Sequence, residues 1–451
     1  MKRMLVAAAV VLAALIGAAP AAAFQFVYAG GFEDGDLGFG ARVNGGLTES
    51  SHSPFTTGAA SLEGLAMSPD GRNLFGVDTA GSLRAFRVDS RAHLTPSAGS
   101  PQPTGTSPYG VTPSTNGKFV YASANLPPAI FGFKVAKNGA ISPTGQGSVP
   151  VAAPTGLAVT PNGKYLYAAT DTSGGSLHGF RIAKNGSLTE LSSSPTPGPG
   201  GAFAIAIAPN GKTIYAGNRD DGTLNAFAIS SSGALDELAG SPYPAGGNPF
   251  SVTVSPNGRN VYVGAYQDDK VAVYDVGAHG TLTEQALSPY DAPSSITALA
   301  IDPAGRYLYE QNPGAEIDVV ELDSQGAPGS PTGFSFENHG DFQSIVTGPD
   351  QAPKAKFKPP KHATTHEQLS FNASASRSKN GIEYLWKFGD GTKDDTFRDK
   401  VKHAYSKPGR YKVKLTLRTQ DGCSTKYVSA GVTPYCNGGK QAIAKKTIKV
   451  K

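Results

Sequence analysis

The sequence predicts an all-β chain made of a long repeated unit followed by a separate small domain, on three observations. A turn of the form Pro-Asn-Gly-Lys recurs along most of the chain, an aromatic strand follows each copy, and the composition changes abruptly after residue 350. Gly (56) and Pro (34) are abundant enough for many tight turns. Their share stays below the roughly 25–30 per cent that marks low complexity, and strand-like runs interrupt them regularly.

The turn begins as "SPDGR" at Ser68 and returns as "STNGK" at Ser114, "TPNGK" at Thr160, "APNGK" at Ala208, "SPNGR" at Ser255 and "DPAGR" at Asp302. Counted at the turn proline, or at Thr115 in its place, the copies are 46 to 48 residues apart, and a degenerate seventh stands at Pro349. The aromatic residue of the next strand also occurs seven times, as Tyr28, Phe75, Tyr121, Tyr167, Tyr215, Tyr262 and Tyr309. A third strand such as "LHGFRI", an Asn-Gly or Ser-Gly turn and a short fourth strand such as "SLTEL" complete each repeat. Four short antiparallel strands per repeat predict a seven-bladed β-propeller over 24–350. The strand at Tyr28 lacks a preceding turn strand, and "FQSIVTG" at Phe342 lacks a following one. Pairing the two would close the ring and remove its open sheet edges.

The ends of the chain carry other signals. Met1-Lys2-Arg3, the apolar run Leu5 to Ala19 and Pro20-Ala21-Ala22-Ala23 form a secretory signal peptide over 1–23, too short and wrongly flanked for a membrane span. The expected location is extracytoplasmic, at the cell surface or in a periplasm, with no span after cleavage. Residues 351–362, "QAPKAKFKPPKH", read as a linker to a second module at 363–451. Cys423 and Cys436 are expected to form a local disulfide contributing on the order of 3 kcal/mol.

In that module "FNASAS" at Phe371, "YLWKFGDGT" at Tyr384 and "HAYSKPGRYKVKLTL" at His403 resemble the polycystic kidney disease (PKD) domain, an immunoglobulin-like β-sandwich. Trp386 and Phe388, and likewise Tyr411, Val413, Leu415 and Leu417, alternate as one face of a half-buried strand should. The cysteine pair sits in an insertion that departs from the PKD pattern.

"PNGKYLYAAT" and "PNGKTIYAGNRDDGTLNAF" resemble the seven-bladed lactonase-like propellers, a group that includes 6-phosphogluconolactonase. Related turns and strands also occur in non-enzymatic surface propellers of the YVTN type, so the likeness specifies fold better than function. The channel mouth is expected about six residues before each turn proline, at Glu63, Tyr109, Thr155, Phe203, Phe250, Thr297 and Gln343. The lactonase resemblance implies His and Arg near that ring, a Glu in a neighbouring loop and an Arg in an "NRG"-like loop. Only Asn218-Arg219 matches. The preceding blade has "APTGLAV" and "ATDTSG" where "PRH" and "NE" would stand. Arg219 and Glu63 remain the fallback catalytic pair, with Asp171 or Asp220 as a substitute base. As a ligand-binding surface, the expected residues are the seven ring positions with Asn218 and Arg219.

Charge divides the chain. Residues 24–350 hold 16 Lys+Arg and 28 Asp+Glu, a net of −12, whereas 351–451 hold 22 and 7, a net of +15. The sequence reading is a secreted or surface-associated, non-catalytic binding or scaffold protein. The propeller is its ligand platform, and the basic sandwich is a tether to an envelope polysaccharide or surface protein, or a module that docks on the acidic propeller. The alternative is an extracytoplasmic lactonase-type hydrolase. No cofactor is expected, a calcium ion in an acidic loop being the alternative. Nucleic acid is not an expected partner, since stacking aromatics on a basic strand face are lacking.

Overall fold

A computed structural model describes residues 25–31, 37–43, 46–49, 53–59, 61–89, 93–198, 200–302, 305–313, 316–335, 342–348, 354–360, 362–376, 382–396, 398–419, 428–430, 433–435 and 442–451. The expected signal peptide, the degenerate turn at Pro349 and the expected Cys423–Cys436 pair lie outside these residues.

Seven antiparallel sheets form the ring. In the first, Phe342–Gly348 pairs with Gln25–Gly31, placing Tyr28 opposite Val346 and Gly30 opposite Ser344, so the end of the propeller closes its first blade. Among the described residues, four blades gain a two-residue strand on the outer side, pairing with the third strand. The apolar core is distributed. Seven clusters of buried residues each join two neighbouring blades, such as Tyr28 with Leu62 and Phe86, or Tyr262 with Leu299 and Leu308.

The second strand of a blade is covered on both faces, so Asn73–Asp78, Tyr165–Thr170, Thr213–Asn218 and Asn260–Ala265 are buried at every residue. Its aromatic residue does more than fill space. Tyr121, Tyr167, Tyr215 and Tyr262 donate their hydroxyls to the carbonyls of Gly186, Gly233, Gly280 and Gly326 at 2.7–3.0 Å, each in a turn of the next blade. Those glycines sit at φ of +81° to +92°, where a side chain is strained.

The Pro-Asn-Gly-Lys turn follows from side-chain hydrogen bonds. Hydroxyls of Ser68, Ser114, Thr160 and Ser255 accept the backbone N–H five residues on at 2.8–3.0 Å. Oδ1 of Asn116, Asn162, Asn210 and Asn257 accepts the N–H two residues on at 2.8–2.9 Å, the Asx arrangement.

Blade 7 breaks the pattern. Where other second strands continue after the aromatic with Gly76, Ala122, Ala168, Ala216 or Val263, this one has Glu310. Glu310 is fully buried and accepts a hydrogen bond from the Tyr290 hydroxyl, while Asn312 donates to Asp318 Oδ2 at 2.5 Å. Burial pushes the Glu310 carboxyl up to about 8; the Tyr290 hydroxyl opposes the rise and Asp318 adds to it.

The second domain is a sandwich with a four-stranded sheet, in order Lys393–Thr396, Ile382–Lys387, Gly409–Thr419 and Ile443–Val450, and a two-stranded sheet of Leu369–Asn372 with Lys400–His403. Trp386 is fully buried against Phe357, Phe371 and Phe388. The expected linker 351–362 needs correction at this point. Phe357 is 1% exposed in this core and Lys358 bridges to Asn372, so the segment belongs to the sandwich because its apolar residue completes the packing around Trp386. A short hairpin, Val428–Ala430 with Thr433–Tyr435, approaches the inner strands Leu62–Met67, Pro154–Val159 and Phe342–Gly348 of the propeller.

Two measurements test this packing. Tyr262→Phe leaves the Gly326 carbonyl without its donor and should cost about 1 to 3 kcal/mol. Gly326→Ala should cost more, because a Cβ there overlaps Asn260 and sits 2.8 Å from the Tyr262 hydroxyl at a positive φ. Equal thermal midpoints for wild type and both variants would contradict the assignment. The folded Glu310 keeps a proton that the unfolded chain, near the ordinary 4.5, releases. Stability should therefore be highest below about pH 4.5 with respect to this group and fall as pH rises to about 8. Glu310→Gln should flatten that decline in denaturant titrations; an unchanged pH profile would reject it.

Candidate functional site

The mouth of the channel is built by irregularities at the start of the inner strands. Register breaks between Leu62 and Gly64, Ala202 and Ala204, and Pro249 and Ser251 leave Glu63, Phe203 and Phe250 without ladder partners. A wider break leaves Tyr109-Gly110 and Thr155-Gly156 unpaired. A β-bulge re-aims the side chain of its extra residue, and in blades 2, 5 and 6 that residue is the one expected at the ring. Gln343 occupies the corresponding break in blade 1, and its side chain lies outside the described residues.

The inner strands converge so closely that a side chain after the ring residue is excluded in three successive blades. A Cβ on Gly64 or Gly110 would overlap the carbonyl of Tyr109 or Thr155, and one on Gly156 would come within 2.8 Å of the Phe203 carbonyl. Glu63, Tyr109, Phe203, Phe250, Thr297 and Ser344 line a cavity of about 140 Å³. Thr155 does not line it, which corrects the expected ring. Its side chain is 1% exposed and its hydroxyl donates to the Ala169 and Ala202 carbonyls at 3.2 and 3.1 Å.

With Thr155 withdrawn, Tyr109 reaches Phe203, with ring centroids 5.5 Å apart at 76°. Phe203 meets Phe250 at 4.3 Å, and Phe250 meets Tyr266 at 5.8 Å, making an arc of four rings whose ends, Tyr109 and Tyr266, are 38% and 37% exposed. Sequence reading missed Tyr266. The available signal was "GAYQDD", an aromatic at the start of a ring-side loop.

Arg219 packs over Phe203 at 5.9 Å, but its guanidinium is engaged by carboxylates, Asp171 Oδ2 at 2.8 Å and Asp220 Oδ1 at 3.4 Å. Asn218, expected as a ligand contact, is 1% exposed and donates to Thr223 Oγ1 at 3.0 Å and to Asn225 Oδ1. It is committed to its own hairpin because the second strand is covered on both sides. Burial raises the Glu63 carboxyl above its ordinary value. Burial also raises the Tyr109 phenol, aided by the negative charges of Glu63 and Asp171 and opposed by Arg219.

In the loop after another second strand, Asp78 is fully buried against Arg84 at 2.6 Å. Asp268 accepts the Gly247 N–H at 2.5 Å, and Asp269 accepts from Ser295 at 2.9 Å. Among the described residues no group of three His, Cys, Asp or Glu is disposed to hold a metal ion.

Comparison with known proteins agrees with this architecture. Residues 203–291 match the family model "Lactonase, 7-bladed beta-propeller", and 350–433 match "PKD domain". A putative 6-phosphogluconolactonase of Bacteroides fragilis superposes with a TM-score of 0.62 at 22% identity, covering 72% of this chain and 98% of that one. The periplasmic gluconolactonase of Pseudomonas aeruginosa does so with 0.62 at 16%, covering 72% and 99%. At these identities the likeness is one of fold. The collagenase ColA of Clostridium perfringens is 35% identical over 75 residues, 16% of this chain and 7% of the collagenase, so the chain matches only a small part of that relative's length. The molecule is therefore a seven-bladed β-propeller, similar to the lactonase family over residues 203–291, followed by a β-sandwich similar to the PKD domain over 350–433.

Proposed function

We propose that this is an exported binding protein in which the propeller mouth holds a neutral or cationic group of an envelope glycan or surface protein, and the basic PKD domain acts as a tether. The observation that carries the reading is the state of Arg219. It is the one residue matching the lactonase pattern, and Asp171 and Asp220 neutralise it. An anionic ligand would have to displace a carboxylate, whereas Glu63, the aromatic arc and the cavity favour a flat, uncharged ring or an organic cation. Export is supported by the N-terminal leader pattern and by a periplasmic gluconolactonase among proteins of the same fold. The described residues contain no helix long and apolar enough to cross a membrane.

A lactone hydrolase is the second reading, favoured by Glu63 in the wall of the cavity, its carboxyl raised by burial. In that chemistry Glu63 would take a proton from water as the oxygen adds to the lactone carbonyl. Arg219 would stabilise the oxyanion, and the ring C–O bond would break with the proton returned to the leaving alkoxide.

Both readings meet in one set of proteins. Against a panel of neutral, cationic and anionic sugars, wild type should bind neutral or cationic members, and Tyr109→Ala should weaken them about tenfold, which is about 1.4 kcal/mol. On a lactone panel the same protein should not exceed the buffer rate. Turnover that disappears in Arg219→Ala and Glu63→Gln would replace the binding reading with the hydrolase. Export predicts a mature chain beginning at Phe24, read by intact mass of the secreted product; a retained Met1 would contradict it.

A further inference from the structure

The PKD domain carries a row of lysines for which folding supplies no reason. Strand register sets Lys387 opposite Lys393 on one side and Lys414 on the other, and Lys414 opposite Lys445. Residues directly opposite in a sheet share a face, so these four lysines form one line across all four strands, about 14 Å long at the usual strand spacing. Next along the face lie Lys412, opposite Thr447, and then Arg410, opposite Lys449. The reverse face holds Trp386, Val413, Leu415 and Ile448 in the core.

Lys387, Lys393 and Lys445 are exposed and Lys414 is half-buried, and among the described residues none of the four has a carboxylate within ion-pair distance. The acidic register positions of this face are Asp395 opposite Leu385, in the row next to the lysines, and Glu383 opposite Arg418, one row further on. Like charges directly opposite one another destabilise a sheet. Lysines on edge strands guard against edge-to-edge aggregation, but Lys387 and Lys414 stand on the two central strands, where no edge needs protection.

We propose that this face is a docking surface for a linear anionic glycopolymer, carrying carboxylate or phosphodiester groups along its length. The inference rests on the tether reading above and locates its contact. A row of charges on one open sheet face matches charges spaced along an extended chain better than it encloses a small anion. The described outward-facing positions carry no aromatic ring for base stacking, which turns the surface away from single-stranded nucleic acid. Charge complementarity therefore determines the partner class, and salt should weaken the contact steeply.

The test uses the full chain with two triple variants of equal charge loss. Lys387→Gln/Lys414→Gln/Lys445→Gln removes the row, and Lys354→Gln/Lys402→Gln/Lys407→Gln removes exposed lysines elsewhere on the domain. Binding is measured to immobilised polygalacturonate and to polyribitol phosphate, which separate the two anion chemistries, at low and physiological salt. The row variant should bind at least tenfold more weakly to one or both polymers and show a shallower salt dependence. The control variant should stay within about threefold of wild type, and the thermal midpoint of the row variant should be unchanged or higher as repulsion is relieved. Equal weakening in both variants, or polymer binding undiminished in the row variant, would overturn the site while leaving the tether reading intact. Wild type that binds neither polymer would overturn the tether reading and the site together.

Discussion

The hydrogen bond from a buried tyrosine of one blade to a turn carbonyl of the next is the contact on which the propeller's order rests. Its donor ring is covered on both faces by neighbouring sheets, and its acceptor is a glycine at positive φ, so each blade supplies half of an interface and completes another. A single four-stranded blade could not bury its second strand alone. The seven apolar clusters join neighbours in pairs, and only the return of Phe342–Gly348 to Tyr28 removes the last open edge.

A ring locked at its periphery can tolerate variation at its axis. The inner strands approach too closely for side chains at Gly64, Gly110 and Gly156, and register breaks just before the first two turn Glu63 and Tyr109 toward the mouth. That position is free to be Glu63, Phe203 or Phe250 because the ladder does not depend on it. The electrostatics of the mouth are decided by the loops above. Asp171 and Asp220 come from two neighbouring blades and hold Arg219 between them, so a residue that in isolation suggests anion binding contributes little net positive charge.

The two domains divide the physical work. The propeller concentrates acidic and aromatic groups around a small cavity, and the C-terminal sandwich concentrates cations on a sheet face backed by Trp386 and Leu415. Opposed net charges of −12 and +15 keep the whole chain only modestly basic. Such a balance conceals the two surfaces from any argument based on overall charge.

Much of this was legible in the chain itself. The spacing of Pro-Asn-Gly-Lys turns and the seven aromatics determined the blade number, and the orphan strands at Tyr28 and Phe342 determined the closure, because period and turn chemistry are local properties of the backbone. Alternation around Trp386 and Leu415 determined the sandwich for the same reason. Tertiary structure alone decided that Thr155 turns inward to neighbouring carbonyls, that Asn218 is spent inside its hairpin, that Phe357 belongs to the second core, and that Tyr266 extends the aromatic arc. It also decided that Arg219 is neutralised and that Lys393, Lys387, Lys414 and Lys445 fall in one row. Each of these depends on which residues from distant parts of the sequence are brought within a few ångströms, and register and burial between strands set that proximity, which no local pattern encodes.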